Sequence, residues 1–255
     1  MEECRANVHS WGRRNRVTFE ASKEHILILH PSQGEGETFR MLGCYIDVKL
    51  IMDQAIDVIL SQIRPKVHAI LRTRRHYEIK DLIGQFKTHV WSLMEMHNGA
   101  IFHASDYLLA KIENVQQSFL REFGVSEGEA YLSHNFAPPK LRRNIGILGL
   151  LHKRVIGESH PIFKKLFPLS TEIGRPLLPG GHSRQLYGHL HEVHFQMTLY
   201  CKSIFAMTYV YNMLPQHVVD SSSVTEFQKH LSILARRKCA LGDETWRDSF
   251  SSRAR

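Results

Sequence analysis

The sequence lacks any apolar run long enough to span a membrane, and it lacks closely spaced cysteines. A membrane helix needs roughly 20 consecutive apolar residues, and no stretch of this chain approaches that length. The first residues, MEECRANVHSW, have no apolar core of the kind found in secretory signal peptides. The four cysteines are Cys4, Cys44, Cys201 and Cys239, and they form no CxxC pair of a zinc ribbon or a thioredoxin motif. We therefore expect an intracellular protein of the nucleus or cytoplasm with reduced thiols, neither secreted nor in a membrane.

Motifs of nucleophilic, phosphate-binding and zinc chemistry are also absent. The chain has no GxSxG elbow, no GxxxxGK[ST] loop and no HExxH pair. Three histidines, His189, His191 and His194, lie close together in sequence. Spacings of two and five residues do not place three rings on one helix face. We interpret them as surface or interface histidines and predict no metal site.

The amino-acid composition is typical of a globular, cationic protein. The 255 residues are 43% hydrophobic and 23% charged, which is ordinary for a folded domain with a proper core. The formal net charge is +8 at pH 7. Such a positive field favours polyanionic partners, although it says nothing about the fold.

The N-terminal stretch is the only part that reads as strand. Val17 and Phe19 alternate with polar residues, which predicts a short half-buried strand. The run from Ile26 to Leu29 predicts a buried strand, and residues 39–46 predict a third strand antiparallel to it. Gly43 within that third strand indicates a bulge or a close backbone approach.

From Leu50 onward the apolar period becomes helical. Apolar residues recur every three or four positions from Met52 to Ile70 and again from Leu82 to Met94. Pro65 is expected to start a new turn or kink the first of these helices. Later helices are predicted to begin after caps or an N-terminal proline, namely Ser105, Ser126 with Glu129, Pro139, and Ser223 with Glu226. Residues 184–214 also show a long helical pattern.

These patterns predict an α+β fold that is mostly α. A small antiparallel hairpin or sheet occupies residues 1–50, and a helical region follows over residues 51–173. The Pro/Gly-rich segment 174–182 reads as a linker. A C-terminal helical extension covers residues 183–241, and residues 242–255 are expected to form a flexible tail.

Basic residues cluster in two helical regions. Arg72, Arg74, Arg75 and Lys80 lie in the first region, which also contains Arg64, Lys66, Lys87 and the rings of His76 and Tyr77. A second cluster contains Arg142 and Arg143. Lysine and arginine on a helix face can follow a phosphate backbone, because each contact releases a condensed counterion. Rings beside them can stack on bases or sugars. An ordinary solvated helix face would show the same pattern.

The first fifty residues resemble the end of the palm of a reverse transcriptase of the non-LTR (LINE-like) retrotransposon kind. The resemblance rests on a Trp-to-Lys block followed by a Leu-Gly pair. The block comprises Trp11, Gly12, Asn15, Val17, Phe19, Glu20, Lys23 and Glu24, and the pair lies in Leu42-Gly43-Cys44. Later segments around Gly124 and His152 look like the thumb and C-terminal extension of the same group.

The resemblance implies roles for two sets of residues. Lys23 matches the lysine of the polymerase D motif, which assists departure of pyrophosphate by electrostatic and acid catalysis. Leu42, Gly43 and Cys44 match the E motif, the primer grip. The alternative for Lys23 is a solvated lysine in a turn between two strands.

The departures from the family matter more than the matches. The family's two-metal mechanism uses carboxylates that hold a pair of Mg²⁺ ions. Those aspartates would precede residue 1, and this sequence contains no Asp-Asp pair. The implied identity is a truncated RNA-directed DNA polymerase that holds no cofactor and is inactive alone. The expected partners are an RNA–DNA duplex or primer-template and a missing upstream polymerase half. The alternative is a helical protein-interaction module with no nucleic-acid role.

Overall fold

The protein divides into two compact units, Met1–Ile51 and Met52–Arg255. The structure is a computed structural model that describes residues 2–20, 23–30, 32–188 and 200–253. The first unit contains one helix and a two-stranded antiparallel sheet, and the second is helical. The predicted α+β, mostly α class is therefore confirmed. The division lies one residue from the boundary predicted after residue 50.

A short hairpin replaces the long third strand that the sequence predicted. Helix α1 spans Glu2–Arg14, and strands β1 and β2 span Phe39–Met41 and Cys44–Ile46. The strands pair antiparallel, with Met41 opposite Cys44. The two residues between them, Leu42 and Gly43, have φ angles of 49° and 87°. Two consecutive positive φ values are the condition for the type I′ turn of two-residue hairpins. The prediction of one continuous strand was wrong because a tight turn interrupts it.

The other two predicted strands are not formed. Val17 and Phe19 lie in irregular backbone. In the run from Ile26 to Leu29, only Ile28 pairs, through a single antiparallel bridge to Glu35. Val17 remains 43% exposed and Ile26 63% exposed. Without a layer to cover one face, an alternating or apolar pattern gains little from forming a sheet.

The N-terminal unit buries very little of its own surface. Among its described residues, only Gly12 and Cys44 are buried. Trp11 is 53% exposed and Leu42 is 95% exposed. This unit therefore lacks a hydrophobic core within the described residues.

The helical unit begins with a run of eight helices. These are α2 Asp53–Arg72, α3 Ile79–Phe86, α4 Ser92–Glu95, α5 Asn98–Ile101, α6 Asp106–Arg121, α7 Glu127–His134, α8 Pro139–Val155 and α9 Pro161–Leu166. Three more described helices and a 3₁₀ turn follow. They are α10 Met207–Asn212, α11 Gln216–Val219, α12 Val224–Ala240 and the turn Glu244–Asp248.

The predicted helix starts are confirmed. The hydroxyl of Ser105 accepts a hydrogen bond from the Leu108 N–H, and that of Ser126 accepts one from the Glu129 N–H. Ser223 caps α12 in the same way, and Pro139 is the first residue of α8. Each cap satisfies a backbone donor that the helix itself cannot pair.

Pro65 neither breaks α2 nor starts a new helix. The helix runs unbroken from Asp53 to Arg72 with Pro65 inside it. Pro65 lies on the exposed side, whereas Ile63 and Val67 are buried. The burial of the apolar stripe holds the helix together across the missing backbone donor.

A π-helical segment, Lys87–Trp91, joins α3 to α4. Its cause can be found in the spacing of the buried residues Leu82, Phe86, Val90 and Met94, which recur every four positions. In an α-helix each step of four residues overshoots a full turn by about 40°, so three steps drift by about 120°. A π turn holds more residues and absorbs much of this drift. All four side chains therefore face one core.

The main core of this unit forms around α8. This helix packs against α12, α10 and α6. Leu141, Leu148 and Leu151 on α8 are fully buried, as are Phe227 and Leu231 on α12.

Residues 174–180 of the predicted linker are exposed, whereas its last residue and the predicted tail are packed. His182, at the end of segment 174–182, is 3% exposed and its Nε2 lies 3.0 Å from the Tyr211 carbonyl oxygen. Trp246 in the predicted tail is 7% exposed and stacks on Tyr131. Residues 184–188 are not helical, and residues 189–199 of the predicted long helix lie outside the described part of the chain. The polar composition of the tail obscured the buried residues, such as Trp246, that pack it.

Candidate nucleic-acid interface

A basic stripe runs along the outward face of α2. Arg64, His68 and Arg72 are all exposed. Their four-residue spacing places them in a row on one helix face. The buried stripe of this helix, which includes Ile63 and Ile70, lies on the opposite side. His68 was not singled out from the sequence, although its spacing from Arg64 and Arg72 was a usable signal.

The stripe continues into the turn that follows α2. His68, Leu71, Arg72, Arg74 and Arg75 line an open depression of ≈ 420 Å³. The structure therefore brings together the three arginines that the sequence proposed for phosphate contact. We call the set Arg64, His68, Arg72, Arg75 and Lys80 the basic surface.

One of the three arginines is already engaged. The Nη1 atom of Arg74 lies 3.0 Å from Oε2 of Glu122. Within the described residues, no carboxylate lies within ion-pair distance of Arg72, Arg75 or Lys80, and all three are exposed. These three cations are therefore available to an external anion.

Arg143, in contrast, is a buried structural residue. It is 3% exposed, and its Nη2 donates a 3.0 Å hydrogen bond to Glu113. Burial raises the pKa of Glu113, while the Arg143 guanidinium and the Lys140 N–H oppose that rise. A phosphate contact from Arg143 would require this pair to be opened, so the sequence-based assignment does not fit the structure.

Arg142 is held in a fixed plane by two neighbours. Its Nε and Nη2 both bond the Glu95 carboxylate, the latter at 2.9 Å. Its guanidinium carbon lies 3.5 Å from the centroid of the Trp91 ring. Lys87 lies 5.4 Å from the same centroid. Burial, together with the charge of Arg142, lowers the pKa of Lys87. Arg142 is therefore not part of the basic surface on α2, and it packs instead between Glu95 and Trp91.

Lys23 lies in the N-terminal unit on an exposed turn. Its N–H donates to the Glu20 carbonyl oxygen at 2.9 Å. The next residue, Glu24, forms an ion pair with Arg5 at 2.8 Å, and its Oε1 lies 2.7 Å from Nε2 of His9. An exposed position in a turn fits both interpretations of Lys23, the D-motif lysine and the solvated turn lysine.

The three residues matched to the primer grip form the hairpin tip. Leu42 and Gly43 are the two turn residues, and Cys44 begins β2. Cys44 is 5% exposed, and burial raises the pKa of its thiol. The exposed Leu42 side chain and the turn backbone are the parts of this tip that a bound strand could contact.

Among the described residues, no group of three or more His, Cys, Asp or Glu side chains has the geometry of a metal site, such as one for Mg²⁺. Two of the early aspartates have other roles. Asp47 accepts hydrogen bonds from the Lys49 and Ile51 N–H groups. Asp57 lies 3.6 Å from the Lys111 ammonium. The described residues therefore do not fit the metal pair of the family mechanism.

Some sequence predictions fall outside the described residues. His189, His191 and His194 lie there. No described helix combines the length and apolar character that a membrane crossing needs. Comparison with protein-family models, with curated protein sequences and with solved structures gave no match.

Proposed function

We propose that this chain is a nucleic-acid-binding fragment of a non-LTR reverse transcriptase that binds an RNA–DNA duplex or primer-template through its basic surface. It retains the counterparts of the primer-grip hairpin and the thumb helices. It lacks the aspartates that hold the metal pair, so it does not polymerise alone. The observation that carries the proposal is the row of exposed basic side chains along α2 and the following turn, among which Arg72, Arg75 and Lys80 have no carboxylate partner in the described part of the chain.

The charge of this region is concentrated. Between Ser61 and Thr88 the chain carries seven Lys or Arg residues and two acidic residues. A surface of this kind follows a phosphate backbone without reading base sequence. Tyr77, two residues after Arg75 in the sequence, is 51% exposed and adds a ring that can stack on a base or sugar.

The exposed apolar side chains of the N-terminal unit support the other expected partner, the missing upstream polymerase half. Trp11, Ile26 and Leu42 are more than half exposed. A missing upstream polymerase half is the proposed partner that covers these side chains, since large exposed apolar side chains mark interaction sites. The same side chains also favour the alternative, a protein-interaction module with no nucleic-acid role.

The test is fluorescence anisotropy with a labelled RNA–DNA primer-template over a salt titration. The wild-type chain should bind, and the logarithm of its affinity should fall linearly with the logarithm of salt concentration. The variant R72A/R75A/K80A should bind more weakly, with a salt slope smaller by about one for each lost phosphate contact.

A charge-matched variant, K164A/K165A/R237A, provides the control. These three residues are exposed and lie on α9 and α12, away from the basic surface in sequence. It removes the same charge, so a general effect of net charge would alter both variants equally. Equal slopes for the two variants would refute the basic surface as the binding site, and no binding by the folded chain at low salt would favour the interaction module.

A further inference from the structure

A cavity of ≈ 450 Å³ lies among five helices of the helical unit. Its walls come from the ends of α4 and α7 and from α5, α8 and α12. The lining residues that matter here are Glu95, Asn98, Asn135, Arg142, Gly146 and Gln228. The volume falls within the range of small-molecule sites, about 300–1,000 Å³. None of these residues belongs to the basic surface.

One wall of the cavity is a planar cation fixed in position. Trp91, on which the Arg142 guanidinium rests, stacks on Phe136 with ring centroids 5.2 Å apart and planes 14° apart. Its Nε1–H donates a 3.1 Å hydrogen bond to the buried Gln116. Arg142 also lines the cavity, so the face that Trp91 does not cover can receive a second flat ring. Guanidinium planes stack on nucleobases in this way.

Three carboxamides line the same cavity without a protein partner. The side chains of Asn98, Asn135 and Gln228 make no hydrogen bond to any described residue of the chain. Each carboxamide offers a donor and an acceptor side by side. This pairing matches the edge of a nucleobase, for which Asn and Gln are common partners.

Two glycines provide the room for a ligand. Gly99 on α5 and Gly146 on α8 both line the cavity. A Cβ atom built at either glycine would meet no heavy atom within 4 Å. The absence of side chains here keeps the cavity open, and a larger residue at Gly146 would fill it without displacing the backbone.

We infer that this cavity binds one unstacked nucleobase, with the ring on Arg142 and its edge on the carboxamides. The base can come from a free nucleotide or from a single-stranded segment of a bound strand. Only the strand-borne case rests on the proposed function.

The experiment uses two fluorescent probes with the full chain. One is 2-aminopurine riboside, and the other is a short oligothymidine strand that carries a single 2-aminopurine. A saturable fluorescence change is expected with at least one probe. The variant Gly146→Leu should raise the Kd by about tenfold or more, since it removes the space for the base.

The matched control is Gly84→Leu. Gly84 is also a helical glycine whose Cβ would meet nothing within 4 Å, and it lies outside the cavity. A second variant, N98A/Q228A, removes two cavity side chains at positions of regular helical backbone, where alanine is well tolerated. It should weaken probe binding in the same direction, whereas Gly84→Leu should not change it.

The outcomes separate this inference from the proposed function. If the wild-type chain binds the riboside and Gly146→Leu does not, the ligand is a free base. If the wild-type chain binds only the strand, and Gly146→Leu abolishes that binding, the ligand is a strand-borne base. Absence of a saturable signal, or equal affinity in Gly146→Leu and wild type, overturns the inference. Riboside binding that depends on Gly146, in a chain that fails to bind primer-template, would overturn only the proposed function.

Discussion

The imidazole of His152 lies face to face with the ring of Phe227, with centroids 4.1 Å apart and planes 3° apart. Its Nε2 is 3.0 Å from the Ser221 carbonyl oxygen, which can only accept. Nε2 therefore carries the proton, and Nδ1 accepts from the Tyr211 hydroxyl at 3.0 Å. A neutral imidazole satisfies both partners.

This arrangement predicts loss of stability in mild acid. Burial lowers the pKa values of both His152 and His182 from the ordinary value of 6.5. The unfolded chain therefore binds more protons than the folded chain once the pH falls below that value. The contribution of these two histidines to stability is fully present above about pH 6.5 and is lost as the pH falls toward the lowered folded pKa values.

Urea unfolding between about pH 7.5 and about pH 5.5 measures this dependence. His152→Phe should lower the free energy of unfolding by about 1–3 kcal/mol for each partner left unpaired, and should reduce the pH dependence. His76→Gln, at an exposed position, should change neither. An unaltered pH dependence in His152→Phe would show that other groups titrate.

The second prediction contrasts two arginines that the sequence treated alike. Arg143→Ala should destabilise the fold by about 3–5 kcal/mol, because it leaves the partly buried Glu113 without its ion-pair partner. Arg72→Ala should change the free energy of unfolding by less than about 0.5 kcal/mol, since Arg72 is exposed. Urea midpoints of the two variants measure the difference. Similar midpoints would mean that Arg143 has no structural role.

The third prediction concerns the division at Met52. The N-terminal unit contributes two buried residues among those described, whereas Met52 and everything in the main core belong to the helical unit. A chain of residues 52–255 should therefore unfold cooperatively. Its Tm should lie within about 4 °C of the full chain, a shift that corresponds to roughly 1 kcal/mol.

A deletion at the other end serves as the control for this truncation. Removing residues 243–255 takes away Trp246, which stacks on Tyr131, and Arg253, whose Nη1 donates to the Ala104 carbonyl oxygen at 2.8 Å. This deletion should lower the Tm by much more than removal of the first unit. A larger loss from the N-terminal truncation would contradict the prediction.

Local signals in the sequence predicted local structure well. Ser105, Ser126 and Ser223 were identified as caps because their side chains act within three residues of their own position. The apolar stripe from Met52 to Ile70 was identified because a helix face repeats with a fixed period.

Features that depend on tertiary contacts were not predictable in this way. One continuous strand and two short strands joined by a tight turn show the same sequence pattern. Leu42-Gly43 also differs from the Asn-Gly pair that usually marks such a turn. Arg72 and Arg143 differ only in what packs around them. The cavity joins Asn98, Arg142 and Gln228, which are far apart in sequence, and no periodicity connects them.

The π-helical segment Lys87–Trp91 contains one residue more than a continuous α-helix would need to keep the buried side chains on one face. Removal of Thr88 would leave spacings of four, three and four between the buried residues from Leu82 to Met94, a pattern that a regular α-helix satisfies. The segment therefore has the form of a single-codon insertion that the helix has absorbed. It marks a place where the gene can gain or lose one codon while the buried stripe keeps its direction.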